Sequence, residues 1–255
     1  MSIVTTLCKT YKTAGFHPVT GYNSHHFFNW RDAPFTVFLD GSGFVGCPGL
    51  ALQEVMFMEH LGTYLKPANC LVIGNAMGWS TLATALTFPK AKTVGVDNAA
   101  KSGIDFTNAA FKSLGLKGGA VLGESPQDIG RIVGAEFEGK VDFVLIDAVH
   151  DNDAIQADFH AVRNCASADC VYLFHDVINW NMLRGFKALL ADSGLEGCVL
   201  TRTPSGMAMA YSQNLPADCR DYLAVFSDEK NFFQRYRHTV RQNMDGLSLF
   251  DQELP

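Results

Sequence analysis

The residues best suited to chemistry stand at the ends of short apolar runs. Asp147 closes the run Val141 to Ile146, and His175-Asp176 closes the run Cys170 to Phe174. Two carboxylates brought together repel unless a proton or a cation sits between them. With His175 they can hold a hard divalent ion, and the oxygen ligands favour Mg2+ or Mn2+. Asp147, His175 and Asp176 are therefore candidate metal ligands. The competing reading has one Asp capping the next helix while the other positions a substrate or cofactor. His150 and His175 are candidate general bases, because imidazole titrates near neutrality. With Asp147 they form the candidate catalytic set.

A second group of residues points to a bound nucleoside. Gly74-Asn75-Ala76-Met77-Gly78 follows the apolar run Cys70 to Ile73 and precedes a helix with Ser80 in its first turn. The glycines allow a tight turn and a close approach of ligand to backbone. Free N–H groups at the helix start can bind a carboxylate or phosphate. Asp97 ends the next apolar run, roughly 20 residues further on, where a carboxylate can accept hydrogen bonds from both ribose hydroxyls. Asn98 follows it. Glu124 and Ser125 follow a third run, Ala120 to Leu122. The plainer alternatives are an ordinary strand–helix turn and a solvated loop Asp.

These positions share an edge only if the apolar runs are neighbouring strands. Helical periodicity is predicted for Leu50 to Tyr64, Trp79 to Leu86, Ile104 to Leu114, Pro126 to Val133, Asn152 to Asn164 and Met182 to Leu190. Pro126 suits a first helical turn. Strands alternate with them at 70–73, 93–96, 120–122, 141–146 and 170–174. Two more, 197–201 and 207–211, are separated only by a Pro204- and Gly206-containing loop and read as a hairpin. The expected fold is α/β: a Rossmann-like, seven-stranded, mostly parallel sheet with a C-terminal antiparallel hairpin and helices on both faces. Ligands of such sheets bind beyond the carboxyl ends of the strands. The expected organisation is a cap segment over 1–49, the main domain over 50–212 and a helical tail over 213–255. The cap reads as irregular, and its aromatic run His25-His26-Phe27-Phe28-Asn29-Trp30 is placed to line a pocket or pack on a partner subunit.

Composition narrows the partners. A net charge of −6 and a pI near 5.7 disfavour a nucleic-acid substrate, so a small molecule is expected. No run of about twenty apolar residues is present to span a bilayer, and the start of the chain lacks a signal-peptide pattern. Seven cysteines, an odd number with no C-x-x-C pair, read as reduced thiols in a cytoplasmic protein. The aromatic termini are compatible with a homodimer.

The segment Leu71-Val-Ile-Gly-Asn-Ala-Met-Gly-Trp-Ser-Thr81 resembles class I S-adenosylmethionine-dependent methyltransferases, and within these the branch related to catechol and sugar O-methyltransferases. So do Val94-Gly-Val-Asp97, Gly123-Glu-Ser125 and Val141 to His150. Phe174-His175-Asp176 and Ser205 to Tyr211 also fit, and the resemblance spans Leu50 to Ser212. It implies S-adenosylmethionine as cofactor. Gly74 and Gly78 would flank its methionine part, Asp97 would hold the ribose, Glu124 and Ser125 would lie near the adenine, and Asp147 would sit beside the reactive end. Metal-dependent relatives bind Mg2+ through acidic residues at the positions of Asp147, His175 and Asp176. Three departures stand out. Val72 occupies a position that is often acidic, Ala76 replaces a central glycine, and His175 replaces a carboxylate.

The implied reaction is methyl transfer, with a hydroxyl of a small molecule as the expected acceptor. A base or a divalent metal would help remove the acceptor proton. One alternative is a nicotinamide-dependent oxidoreductase, but that motif requires G-x-G-x-x-G, and here three residues separate Gly74 from Gly78. Another is a non-catalytic binding protein on the same fold.

Overall fold

A computed structural model describes residues 2–20, 35–44, 49–98 and 101–227. The chain starts with helix α1 (Ile3–Thr13), which buries Ile3, Leu7 and Tyr11, one residue per turn on a single stripe. A small antiparallel sheet follows: β1 (His17–Thr20), β2 (Phe35–Asp40), β3 (Gly43–Phe44) and β4 (Gly49–Leu50). In β2, Thr36 and Phe38 alternate inward, as the two-residue strand period requires. The segment expected to be irregular is thus largely regular where described. Its signal was hidden because the strands are short and mixed in composition. The run His25 to Trp30 lies outside the described residues.

Helix α2 (Leu52–Tyr64) follows the small sheet. The Glu54 carboxylate reaches back to accept the Ala51 N–H at 2.9 Å, which satisfies a donor at the helix start. Then β5 (Asn69–Ile73), α3 (Trp79–Thr87), β6 (Lys92–Asp97), α4 (Lys101–Leu114) and β7 (Lys117–Leu122) alternate. They are followed by α5 (Ile129–Glu136), β8 (Val141–Ile146), α6 (Asn152–Arg163), β9 (Ala166–Phe174) and α7 (Leu183–Ser193). The described chain closes with β10 (Glu196–Leu200), β11 (Met207–Tyr211) and α8 (Ala217–Phe226). The seven-stranded sheet has the order β10-β11-β9-β8-β5-β6-β7. β5 to β9 pair in parallel, and β11 runs antiparallel to both β9 and β10. This is the α/β fold anticipated from the sequence, including the terminal hairpin.

Two boundaries differ for local reasons. β9 starts at Ala166, ahead of its apolar run, because a register shift lets Val141 pair with Ala166 while Phe143 pairs with Val171. Pro126 lies in a turn before α5 rather than in its first helical turn.

Two apolar clusters cover the faces of the sheet. One joins α1, α2, α3, α4 and α8 through residues such as Leu7, Met58, Trp79, Phe111 and Leu223. The other joins α5, α6 and α7 through Ile132, Phe159 and Phe186. Successive strands step outward from β5 in one direction and from β8 in the other. The order therefore reverses between β5 and β8, where an open sheet forms its ligand crevice. Among the described residues, no helix is long and apolar enough to cross a membrane.

Candidate active site

A cleft of about 700 Å3 opens at that reversal, above the carboxyl ends of β5, β6 and β8. Backbone hydrogen bonds continue past the strands and lock their ends together. Gly74 N–H donates to Val96 O at 2.9 Å, Asp147 N–H to Ile73 O at 2.8 Å, and His175 N–H to Ile146 O at 3.0 Å. Gly74 has φ +97°, and a Cβ on it would stand 2.0 Å from the Asp147 carbonyl oxygen. No other residue fits where these two strand ends meet.

The turn after β5 is built from its own polar groups. Asn75 is buried, and its Oδ1 accepts from Thr81 Oγ1 at 2.8 Å and Thr107 Oγ1 at 3.2 Å. Ala76 N–H donates to Asp97 Oδ2 at 2.6 Å, so the residue expected to hold a ribose also shapes the turn. Ala76 itself has φ +42°, a left-handed conformation in which the missing glycine would be relaxed. Gly78 has φ +82° and precedes α3, whose first turn no side chain caps. From behind, Tyr11 Oη donates to Met77 O at 2.6 Å, and burial pushes that hydroxyl's pKa well up, keeping it a donor.

The cleft brings together Gly74, Asn75, Ala76, Ser80, Asp97, Asn98, Ser125, Asp147, His150, His175 and Asp176. Of the residues singled out in the sequence, Gly78 shapes the turn from outside the lining, and Glu124 is exposed away from it. Ser125 is held by the buried Asp158, whose pKa is raised by burial against the lowering effect of that hydrogen bond.

Asp147, His150, His175 and Asp176 form one cluster, their donor atoms all within 4.8 Å of one another. His175 Nδ1 lies 2.9 Å from Asp147 Oδ1 and 3.3 Å from Asp176 Oδ2, while its Nε2 lies 2.9 Å from Glu54 Oε2. Burial alone would lower the His175 pKa, but the charges of Asp147, Glu54 and Asp176 raise it well above the usual imidazole range. Burial would likewise raise that of Asp147. The His175 charge, with help from His150, instead holds it well below the usual carboxylate range. Ser80 Oγ donates to Asp147 Oδ2 at 2.9 Å, and Asn179 Nδ2 donates to Asp176 Oδ1 at 3.1 Å. Asp176 adopts φ +59°, a left-handed conformation uncommon for a residue other than glycine. The capping alternative fails for both carboxylates: Asp151 caps α6, and no side chain caps α7.

The sequence reading missed several residues. Glu54 lies far from the strand ends in sequence, and its capping position gave no hint of the site. Fully buried, it accepts from His175, from Ala51 N–H, from Ser205 N–H at 3.0 Å and from Ser205 Oγ. Phe35 and Phe38 of the small sheet line the cleft, as do Asn179 and Trp180 in the loop after β9. Trp180 is 56% exposed and stacks on His150 at 5.5 Å. Its position four residues after Asp176 was the one available signal.

Residues 71–177 match the family of the methyltransferase domain. No curated protein sequence matches this one. Among solved structures, an O-methyltransferase from Bacillus cereus in complex with S-adenosylhomocysteine aligns with a TM-score of 0.53 at 17% identity, covering 64% of this chain and 82% of its own. A tomaymycin-synthesis O-methyltransferase from Streptomyces achromogenes, in complex with S-adenosylmethionine, aligns at 0.53 and 16%, covering 64% and 80%. A Podospora anserina methyltransferase bound to S-adenosylhomocysteine aligns at 0.52 and 18%, covering 63% and 78%. The motifs that carry the resemblance lie largely within the matched residues 71–177, and the chain shares the fold of these O-methyltransferase structures.

Proposed function

We propose that this protein transfers a methyl group from S-adenosylmethionine to a hydroxyl of a small molecule. The carrying observation is that the β5 turn, Asp97 and Asp147 line the same cleft as His150, His175 and Asp176. One cavity thus joins the end expected to take a nucleoside to a cluster fit for acid–base or cation chemistry. Its volume is within the usual range for small-ligand sites, roughly 300–1,000 Å3. S-adenosylmethionine, when bound, supplies a methyl group already activated on a positively charged sulfur.

The chain's own residues mainly orient the reactants. Gly74 lets the backbone approach the methionine part, and the uncapped start of α3 offers N–H groups to its carboxylate. Asp97 receives the ribose, and Ser125, steadied by Asp158, lies on the adenine side. His150 and Trp180 face the acceptor end. His175 is a poor base, since both ring nitrogens already face carboxylates. Proton removal from the acceptor then falls to His150 or to a divalent ion held by Asp147, His175 and Asp176. Such an ion would supply positive charge that lowers the pKa of the acceptor hydroxyl.

The nicotinamide alternative has less support, because β11 lies antiparallel between β9 and β10 and the turn lacks the third glycine. Calorimetry with S-adenosylhomocysteine and with NAD tests the choice. Binding of the first alone, followed by turnover with hydroxylated small acceptors, supports the proposal. No binding of S-adenosylhomocysteine would refute it. A cytoplasmic homodimer is part of the same reading, with the assembly open to light scattering.

A further inference from the structure

We infer that Asp147, His150, His175 and Asp176 form a two-imidazole, two-carboxylate site for a borderline first-row divalent ion of the Zn2+, Co2+ or Fe2+ class, rather than an all-oxygen Mg2+ site. The inference deepens the metal-assisted form of the proposed function, but its geometry and its test stand without the methyl donor.

The spacing of the donor atoms is the first argument. His175 Nδ1 is 2.9 Å from Asp147 Oδ1 and 3.3 Å from Asp176 Oδ2, and His150 Nε2 is 3.5 Å from each of the same two oxygens. Ligands held about 2.1 Å from a common ion stand roughly 3.0 Å apart in an octahedron and roughly 3.4 Å apart in a tetrahedron. These four N···O distances match ligands of one ion, and all four donor atoms lie within 4.8 Å of one another.

The second argument is an unsatisfied nitrogen. His150 Nε2 is buried and has no hydrogen-bond partner, although it points between two carboxylates. At 3.5 Å it is too far for a good hydrogen bond, yet an ion between these groups would meet its lone pair.

The third argument lies behind the cluster. An imidazole that binds a metal through one nitrogen commonly donates its other N–H to a carboxylate, which fixes its tautomer and orientation. Glu54 stands in that relation to His175, 2.9 Å from Nε2, and is itself held by Ser205 and Ala51. The outer oxygens of Asp147 and Asp176 are similarly fixed by Ser80 and Asn179.

Charge gives the same sign. Glu54, Asp147 and Asp176 bring three carboxyl groups against two imidazoles in a mostly buried volume. Buried carboxyl groups are costly when charged and unpaired, and a divalent ion among them would offset that charge. Two imidazole donors select against Mg2+, which prefers oxygen and retains its waters, and toward borderline ions.

The test uses the full chain after chelator treatment, titrated with Co2+ and followed by visible d–d absorption. One Co2+ per chain is expected, displaced by an equivalent of Zn2+ but not by a hundredfold excess of Mg2+. His150→Ala removes a partly exposed side chain, so melting should be unchanged while Co2+ affinity falls by about tenfold or more, with an altered spectrum. Absence of Co2+ binding to the wild-type chain, displacement by equimolar Mg2+, or wild-type affinity and spectrum in His150→Ala would each overturn the inference. S-adenosylhomocysteine binding is measured separately on the metal-free chain, so a failure of the proposed function shows there and not in the Co2+ titration.

Discussion

Replacement of Glu54 by Ala tests how the site is supported. Glu54 is fully buried on α2 and receives hydrogen bonds from Ala51 N–H, Ser205 N–H, Ser205 Oγ and the His175 ring. The alanine variant leaves two buried backbone donors and one side-chain donor without partners, at about 1–3 kcal/mol for each that water cannot reach. It also strips His175 of one of its carboxylates, and breaking a buried ion pair costs about 3–5 kcal/mol. These contributions overlap, so a total of about 3–5 kcal/mol is expected. In a chain of this size each kcal/mol moves the melting temperature by about 2–4 °C, which gives a fall of roughly 6–20 °C. Urea unfolding and calorimetry would measure it. Among the described residues Glu59, on the same helix, accepts from Ser2 Oγ and Ile3 N–H near the surface, so Glu59→Ala should cost less than about 1 kcal/mol. Glu54→Gln should fall between, since one oxygen remains an acceptor while its amide faces a donor. If Glu54→Ala matches Glu59→Ala, the Glu54–His175 pair does not support the site as argued.

Gly74→Ala drives a Cβ into the Asp147 carbonyl, so it should displace the end of β8 and weaken S-adenosylhomocysteine binding about tenfold or more in calorimetry. Ala76→Gly relieves a left-handed alanine at the cost of chain entropy, so urea unfolding should show no loss and a gain below about 1 kcal/mol. Asp158→Asn keeps an acceptor for Ser125 and removes a carboxyl whose folded pKa burial raises above its unfolded value near 3.9. The stability from that carboxyl is present in acid and lost as pH rises through the folded pKa. The variant should therefore melt higher than wild type at pH 8, with the advantage gone at pH 4. Trp180→Ala, at an exposed ring on the cleft rim, should raise the acceptor KM with melting unchanged.

The sheet and most of the cleft were legible in the sequence because their signal is local. An apolar run, a glycine or acid at its end and a helical period after it identify β5, β6, β8 and β9 one at a time, and parallel pairing then brings Gly74, Asp97, Asp147 and His175 to one edge. Three features were not legible. The helix and sheet before α2 are made of short, mixed segments whose burial depends on what they pack against, as Phe38 shows against Tyr11 and Trp79. The partners of His175 depend on a residue 121 positions away that no spacing rule connects to it. Glu124 read as a strand-end ligand because β7 stops just before it, yet the chain turns there and presents Gly123 and Ser125 to the cleft instead.

These long-range connections assign the N-terminal elements a role in the site. Tyr11 of α1 holds the Met77 carbonyl inside the β5–α3 turn, and the Trp79 indole that starts α3 donates to Leu50 O of β4 at 3.0 Å. Gly49 packs against that indole so closely that a Cβ would stand 2.8 Å from it. Phe35 and Phe38 wall the cleft, and Glu54 grips His175 from beneath. Contacts from four elements, α1, β2, β4 and α2, thus converge on the two ends of one cavity. A strand–helix turn held only by its own backbone would be free to sample other conformations, whereas this one is braced from outside the sheet. The left-handed Ala76 persists because its surroundings fix it, as strained backbone at functional sites generally does. The small sheet and α1 are therefore part of the machinery that sets the cleft's shape, and the geometry of the β5–α3 turn beside the carboxylate–imidazole cluster depends on them.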